Sequence, residues 1–153
     1  MCKHRKCKAD KAIGTWVGSA GEGDTIQYIQ FQVLPKGDIV FNSTIDVQQP
    51  FPNFPYGAYL TIGQGYWKKI GCNKYATRQT QALVNKDLDP TQNHKGIPLS
   101  RLVVDGTFVV SDDQQELDGT FEARLYDFAD IHFQNPSPVV NSGTYKMGRL
   151  LKL

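Results

Sequence analysis

Cysteine, histidine and net charge are all scarce in this chain, and each scarcity removes a class of explanation. Three cysteines in 153 residues, Cys2, Cys7 and Cys72, are an odd set without framework spacing, which argues against a disulfide scaffold. Cys2, His4 and Cys7 offer three metal ligands, but a structural zinc site needs four on ordered backbone. Residues 1–12 are therefore read as a basic tail or short helix, with no metal site. The formal net charge of +2 is too small to argue for nucleic acid, and the basic residues crowd the N-terminus rather than a folded face. No apolar run approaches the ~20 residues of a spanning helix. No apolar stretch follows Met1-Cys2-Lys3-His4-Arg5-Lys6, so no signal peptide is visible. The expectation is a soluble cytoplasmic protein, or a secreted one if a leader preceded residue 1.

Catalytic signatures are missing as well. There is no G-x-S-x-G, no H-x-x-x-H pair and no glycine-rich phosphate loop, so no catalytic residue and no cofactor is assigned. Gly21-Glu22-Gly23 reads as a turn. His94 and His132 fall in loops, where histidine is common without any acid–base role. Asn42-Ser43-Thr44 matches the glycosylation sequon but lies within a strand.

What the chain does contain is strand chemistry. Hydrophobic residues make up 40% and charged residues 21%, the balance of one ordinary globular domain, placed at 13–153. The clearest stretch is Gly65 to Tyr126. Four runs rich in β-branched and aromatic residues are separated there by turn residues. In Glu116 to Tyr126, Leu117, Gly119, Phe121, Ala123 and Leu125 alternate with Asp118, Thr120, Glu122, Arg124 and Tyr126. That period of two means one buried face and one wet face. Eight strands are predicted, starting at Gly14, Asp24, Asp38, Gly65, Lys74, Arg101, Glu116 and Gly143, after a short helix near Lys6 to Ile13.

Connection lengths alternate. Pro35–Gly37, Gly71–Asn73 and Asp112–Gln114 are tight. Of the other four connections, the proline run after Val47, Asn85–Pro98 and Asp127–Ser142 are long. An up-and-down meander puts the long loops at one end and the tight turns at the other, which predicts a cup with a closed base and a loop-lined mouth. Closure would also remove the exposed strand edges. The proline run (Phe51-Pro52-Asn53-Phe54-Pro55-Tyr56) cannot be an interior strand. Its aromatics are read as a lid, a partner patch or simple packing on the barrel.

Gly14-Thr15-Trp16 resembles the opening of the first strand in lipocalins and the wider calycin superfamily. In those eight-stranded barrels the tryptophan closes the base and a late arginine packs on it. The resemblance implies that fold here, with Arg149 over Trp16. The connectivity agrees, since β-strand one leaves the closed end and strand eight returns to it. Gly65-Tyr66-Trp67, Tyr75-Ala76, and Val104-Asp105-Gly106 through Ser111-Asp112-Asp113 also resemble an uncharacterised group of lipocalin-like proteins.

Inward faces then follow strand by strand: Ile39, Phe41, Ser43 and Ile45 on the third, Leu102, Val104, Gly106, Phe108 and Val110 on the sixth, and Tyr145, Met147, Arg149 and Leu151 on the eighth. The fifth strand is polar on both faces, with Tyr75, Thr77, Gln79, Gln81 and Leu83 alternating with Ala76, Arg78, Thr80, Ala82 and Val84. The second resembles it. One of these polar sets is expected to face a lumen, which must then hold water or a polar ligand. Trp67, placed in the mouth half of its strand, joins Phe41, Phe108, Phe121 and Tyr145 in an aromatic wall. The candidate ligand set is Phe41, Trp67, Tyr75, Gln79, Gln81, Phe108, Phe121 and Tyr145, with Trp16 and Arg149 as the structural base. The leading expectation is a noncatalytic protein holding a small, partly hydrophobic molecule in the lumen, with a homodimer possible. One alternative is a barrel isomerase or cyclase of the allene-oxide-cyclase kind, which needs an inward acid or base. The other is a packed barrel that interacts through its long loops.

Overall fold

The computed structural model describes residues 10–21, 26–43, 58–85 and 98–150. The expected helix near 6–13 falls mostly outside them, and what is described there is a turn closed by Ile13 N donating to Asp10 O at 3.3 Å. Eight antiparallel strands form a closed barrel. They are β1 Gly14–Ala20, β2 Gln27–Val33, β3 Asp38–Ser43, β4 in two segments (Ala58–Leu60 and Gly63–Lys69), β5 Lys74–Asn85, β6 Pro98–Val110, β7 Glu116–Asp127 and β8 Val139–Arg149.

Each strand pairs with the next in sequence, and β1 pairs with β8 to close the ring. Several bounds differ from the sequence-based expectation: β2 is assigned from Gln27 and β6 begins at Pro98, three residues early. β4 begins at Ala58 and is broken at Thr61–Ile62. β8 begins at Val139, four residues early, so its preceding loop is shorter.

The break in β4 is healed by Thr61. Its N–H donates to Ala82 O at 3.0 Å, and its hydroxyl accepts from Ala82 N at 2.9 Å. Both segments therefore stay on β5.

Burial follows the period of two. On β2, Gln27, Ile29, Phe31 and Val33 are buried and the residues between them are exposed. On β5 the expected polar set, Tyr75, Thr77, Gln79, Gln81 and Leu83, is the buried one. Ser43, Ile45 and Leu151 have no described side chain. Two glycines lie against the backbone of the neighbouring strand. A Cβ at Gly18 would lie 1.9 Å from the Lys146 carbonyl oxygen, and one at Gly65 would lie 2.0 Å from that of Arg78. These contacts fall on the β1–β8 and β4–β5 seams, where one backbone approaches the other too closely for a side chain.

The base is sealed as the connectivity predicts. Trp16 is fully buried and its indole N–H donates to Ala12 O at 2.8 Å. The Arg149 guanidinium stands 4.3 Å over that indole. It also donates to Ile13 O at 2.9 Å, to Gln114 O at 2.7 Å and to Lys11 O. One side chain thus joins β8, the β6–β7 turn and the segment before β1. Asn73 donates to Asp112 at 2.9 Å and so ties two base turns together. Cys72, in the β4–β5 turn, is disulfide-bonded. A single bond is not the disulfide scaffold that the odd cysteine count argues against; Cys2 and Cys7 lie outside the described residues.

Candidate functional site

The interior is layered from base to mouth. The lowest layer is aromatic. Trp67 and Tyr75 meet edge to face with ring centres 5.6 Å apart, and Tyr75 stacks on Phe108 at 5.1 Å. The Trp67 indole N–H donates to Leu34 O at 2.9 Å. Leu34 leads into the tight β2–β3 turn, so Trp67 sits near the base and not in the mouth half. Its strand runs from mouth to base, and Trp67 is near its end. Trp67, Tyr75 and Phe108 therefore form a floor beneath the lumen.

Above the floor is a second aromatic group. Phe31 packs on Phe41 at 5.4 Å and edge-on to Tyr145 at 5.3 Å, and Phe121 lies 6.4 Å from Tyr145. Tyr145 can take this position because its cross-strand neighbour is Gly119. A Cβ at Gly119 would sit 2.2 Å from Tyr145 Cζ. The missing side chain is what lets the ring lie flat against β7.

The third layer is polar. Thr77, Gln79 and Gln81 point inward in succession from β5, joined by Gln27 from β2 and Asn141 from β8. They surround a cavity of about 40 Å³ that opens towards the mouth. About 10–15 Å³ of such space is enough for one water, so the cavity has room for a few waters without side-chain movement. Phe41, Gln79, Gln81, Phe121 and Tyr145 of the expected set line this space. Thr77, Gln27, Asn141 and Gly106 line it too and were absent from that set. Thr77 was legible from its place between Tyr75 and Gln79 on one face of β5. Asn141 was hidden by the late start assigned to β8.

Hydrogen bonding divides the polar layer. Gln81 is committed to structure, since its Nε2 donates to Thr61 O at 2.8 Å across the β4 break. Gln79 Oε1 and the Tyr145 hydroxyl are buried and meet no partner among the described residues; each residue is 3% exposed. Burial pushes the Tyr145 hydroxyl well above its ordinary range, so it stays protonated. None of the described lining residues is Asp, Glu, Lys, Arg or His. Buried polar groups nearly always have partners, so two orphans facing one space make this the place where an added molecule would be stabilised. Tyr75 carries a third orphan hydroxyl, within the floor.

The loop from 128 to 138 does not rim the mouth as expected. It folds back on the outer wall. Arg101 and Tyr126 are cross-strand partners on that wall. The Arg101 guanidinium lies 4.7 Å from the Phe128 ring centre and 5.5 Å from that of Phe133, and Tyr126 meets Phe133 edge to face at 5.2 Å. Ser137 holds the return by accepting Leu125 N on its hydroxyl at 2.9 Å and donating its own N–H to Leu125 O at 2.8 Å. Asp130 organises the tip by accepting the amides of Gln134 and Asn135. His132 is exposed on this loop. His94, Phe51, Phe54 and Tyr56 lie outside the described residues.

Among the described residues no group of three or more His, Cys, Asp or Glu could hold a metal, and no helix is long and apolar enough to cross a membrane. No family model, curated protein or solved structure matches this chain.

Proposed function

We propose that this barrel is a noncatalytic binding protein that holds one small, uncharged, partly hydrophobic molecule above the aromatic floor of its lumen. The observation that carries this reading is the pair of buried, unpartnered polar atoms, Gln79 Oε1 and Tyr145 OH, facing the same space. Apolar walls with a few convergent polar groups are the usual make-up of a small-molecule site. Phe31, Phe41 and Phe121 supply the walls. The cyclase alternative needs an inward acid or base, and no described lining residue supplies one that ionises near neutral pH.

Native mass spectrometry tests the reading. The protein is expected to carry an extra mass that disappears on denaturation and is absent from Gly106→Val, whose side chain would fill the space. Absence of any retained mass, together with no uptake of short alcohols by calorimetry, would overturn it. In that case the packed barrel acting through its loops takes over. The small size of the cavity and the exposed Ile131 on the outer-wall loop favour that second reading.

A further inference from the structure

The polar layer restricts the chemistry of the molecule more tightly than its mere presence does. Gln79 Oε1 is an acceptor only, so it asks for an O–H or N–H donor. Gly106, across the ladder from Thr77, borders the cavity beside two hydroxyls, with the Thr120 carbonyl oxygen 3.0 Å from where its Cβ would be. A point one Cβ from Gly106 lies 3.0 Å from Thr77 Oγ1 and 3.7 Å from the Tyr145 hydroxyl. A heteroatom just beyond that point would be within reach of both, and both hydroxyls can donate to its lone pairs. The head group must therefore donate and accept. It must also be neutral, because the described lining residues include no charged partner and an unpaired buried charge is far more costly than a buried dipole. A 150 Å³ cavity takes benzene, and this one is about 40 Å³. A ring does not fit in that space, whereas a small head group does, with its chain running on towards the mouth.

Building on the lumen-binding reading, we propose that the molecule held is a primary alcohol or primary amide on a slender, unbranched apolar tail. Its head group gives a hydrogen bond to Gln79 Oε1 and takes one from Thr77 or Tyr145.

The test is calorimetric titration of the full chain with four matched probes at pH 7: 1-hexanol, methyl pentyl ether, hexanoate and hexylammonium. The ether keeps an acceptor and loses the donor. Hexanol is expected to bind at least about tenfold tighter than the ether, the size of one buried hydrogen bond lost. The two ions are expected to be weaker than the ether. Gln79→Leu should erase the difference between hexanol and ether. In the unmodified protein, the Gln79 side-chain amide signals should move with hexanol and stay still with the ether, a readout that does not depend on how the variant folds. Equal binding of hexanol and ether would overturn the head-group assignment while leaving the lumen site intact. So would a preference that survives in Gln79→Leu, or tighter binding of either ion. Failure of all four probes would overturn the lumen site itself.

Discussion

Arg149→Ala removes the side chain that joins β8, the β6–β7 turn and the segment before β1, and its cost can be worked from the contacts. The guanidinium donates to three backbone carbonyls, those of Lys11, Ile13 and Gln114, and covers the Trp16 indole. Hydrogen bonds to charged groups are worth roughly 1.5–3 kcal/mol each when buried, and the cation–π contact about 0.5–2 kcal/mol. The full sum does not apply. The carbonyls lie at the edge of the fold, and water replaces the lost donors. A net loss of about 2–4 kcal/mol is expected, or a fall in Tm of roughly 5–15 °C for a domain of this size. Arg149→Lys should lose about half as much, because it keeps the charge but not the fork. Urea unfolding followed by circular dichroism gives the global number. Indole hydrogen exchange gives the local one, with an internal control. The Trp16 N–H, bonded to Ala12 O, should exchange faster than global stability explains, while the Trp67 N–H, bonded to Leu34 O, should not. A variant within about 0.5 kcal/mol of the parent, the ordinary scatter for surface sites, would show that the base is held by its other contacts.

Three further outcomes follow from the geometry. Gly119→Ala places a methyl 2.2 Å from Tyr145 Cζ. It should cost about 1–3 kcal/mol by overpacking and should alter the near-ultraviolet aromatic signal; an unchanged melting curve would refute the close approach. Arg78 and Asp105 form a two-point pair at 2.6 and 2.8 Å on the outer wall, which raises the Arg78 pKa. The pair is exposed, so a double-mutant cycle should find a coupling of about 1 kcal/mol or less that fades in 1 M salt; a larger, salt-resistant value would contradict the exposed geometry. Asp130 has its pKa lowered by the amides of Asn135 and Gln134. A depressed folded pKa gives stability that is present above the ordinary carboxylate value and is lost as pH falls through the folded one. The 128–138 loop should thus hold at neutral pH and loosen only below the usual carboxylate range. The amide shifts of Gln134 and Asn135 should follow that titration, and a transition at or above the ordinary value would be the wrong sign.

Much of the barrel was legible because strand period and connection length are independent signals that agree here. The tight turns and the inward faces of β6 and β7 were read from residue order, and the pairing of Trp16 with Arg149 from connectivity together with the lipocalin resemblance. β5 was harder, since both its faces are polar. Its inward side is settled by what stands opposite: Arg78 pairs with Asp105 on the wet wall, which turns Thr77 and Gln79 inward. Trp67 was set too close to the mouth because the start of β4 was hidden. The pause at Thr61–Ile62 breaks the alternation, and only the hydrogen bonds from Ala82 and Gln81 reveal that the strand continues. The folding back of the 128–138 loop depends on Phe128 and Phe133 meeting Arg101, a contact that local patterns do not encode. The depth of the lumen depends on which side chains fill it. That in turn rests on close approaches such as Tyr145 on Gly119, which no periodicity reports.

The β1–β8 seam also bears on the order of events in folding. Every other strand pair joins neighbours in sequence and can grow as a hairpin. The closing pair, from Trp16 with Arg149 to Ala20 with Tyr145, joins segments separated by roughly 130 residues, the largest loop entropy in the molecule. Contacts of that range are expected after the rate-limiting step rather than within it. Weakening the seam at Gly18 or Arg149 should therefore accelerate unfolding and leave the folding rate nearly unchanged, the behaviour of late-forming contacts. The lifetime of the closed barrel would then be set by its last-made joint.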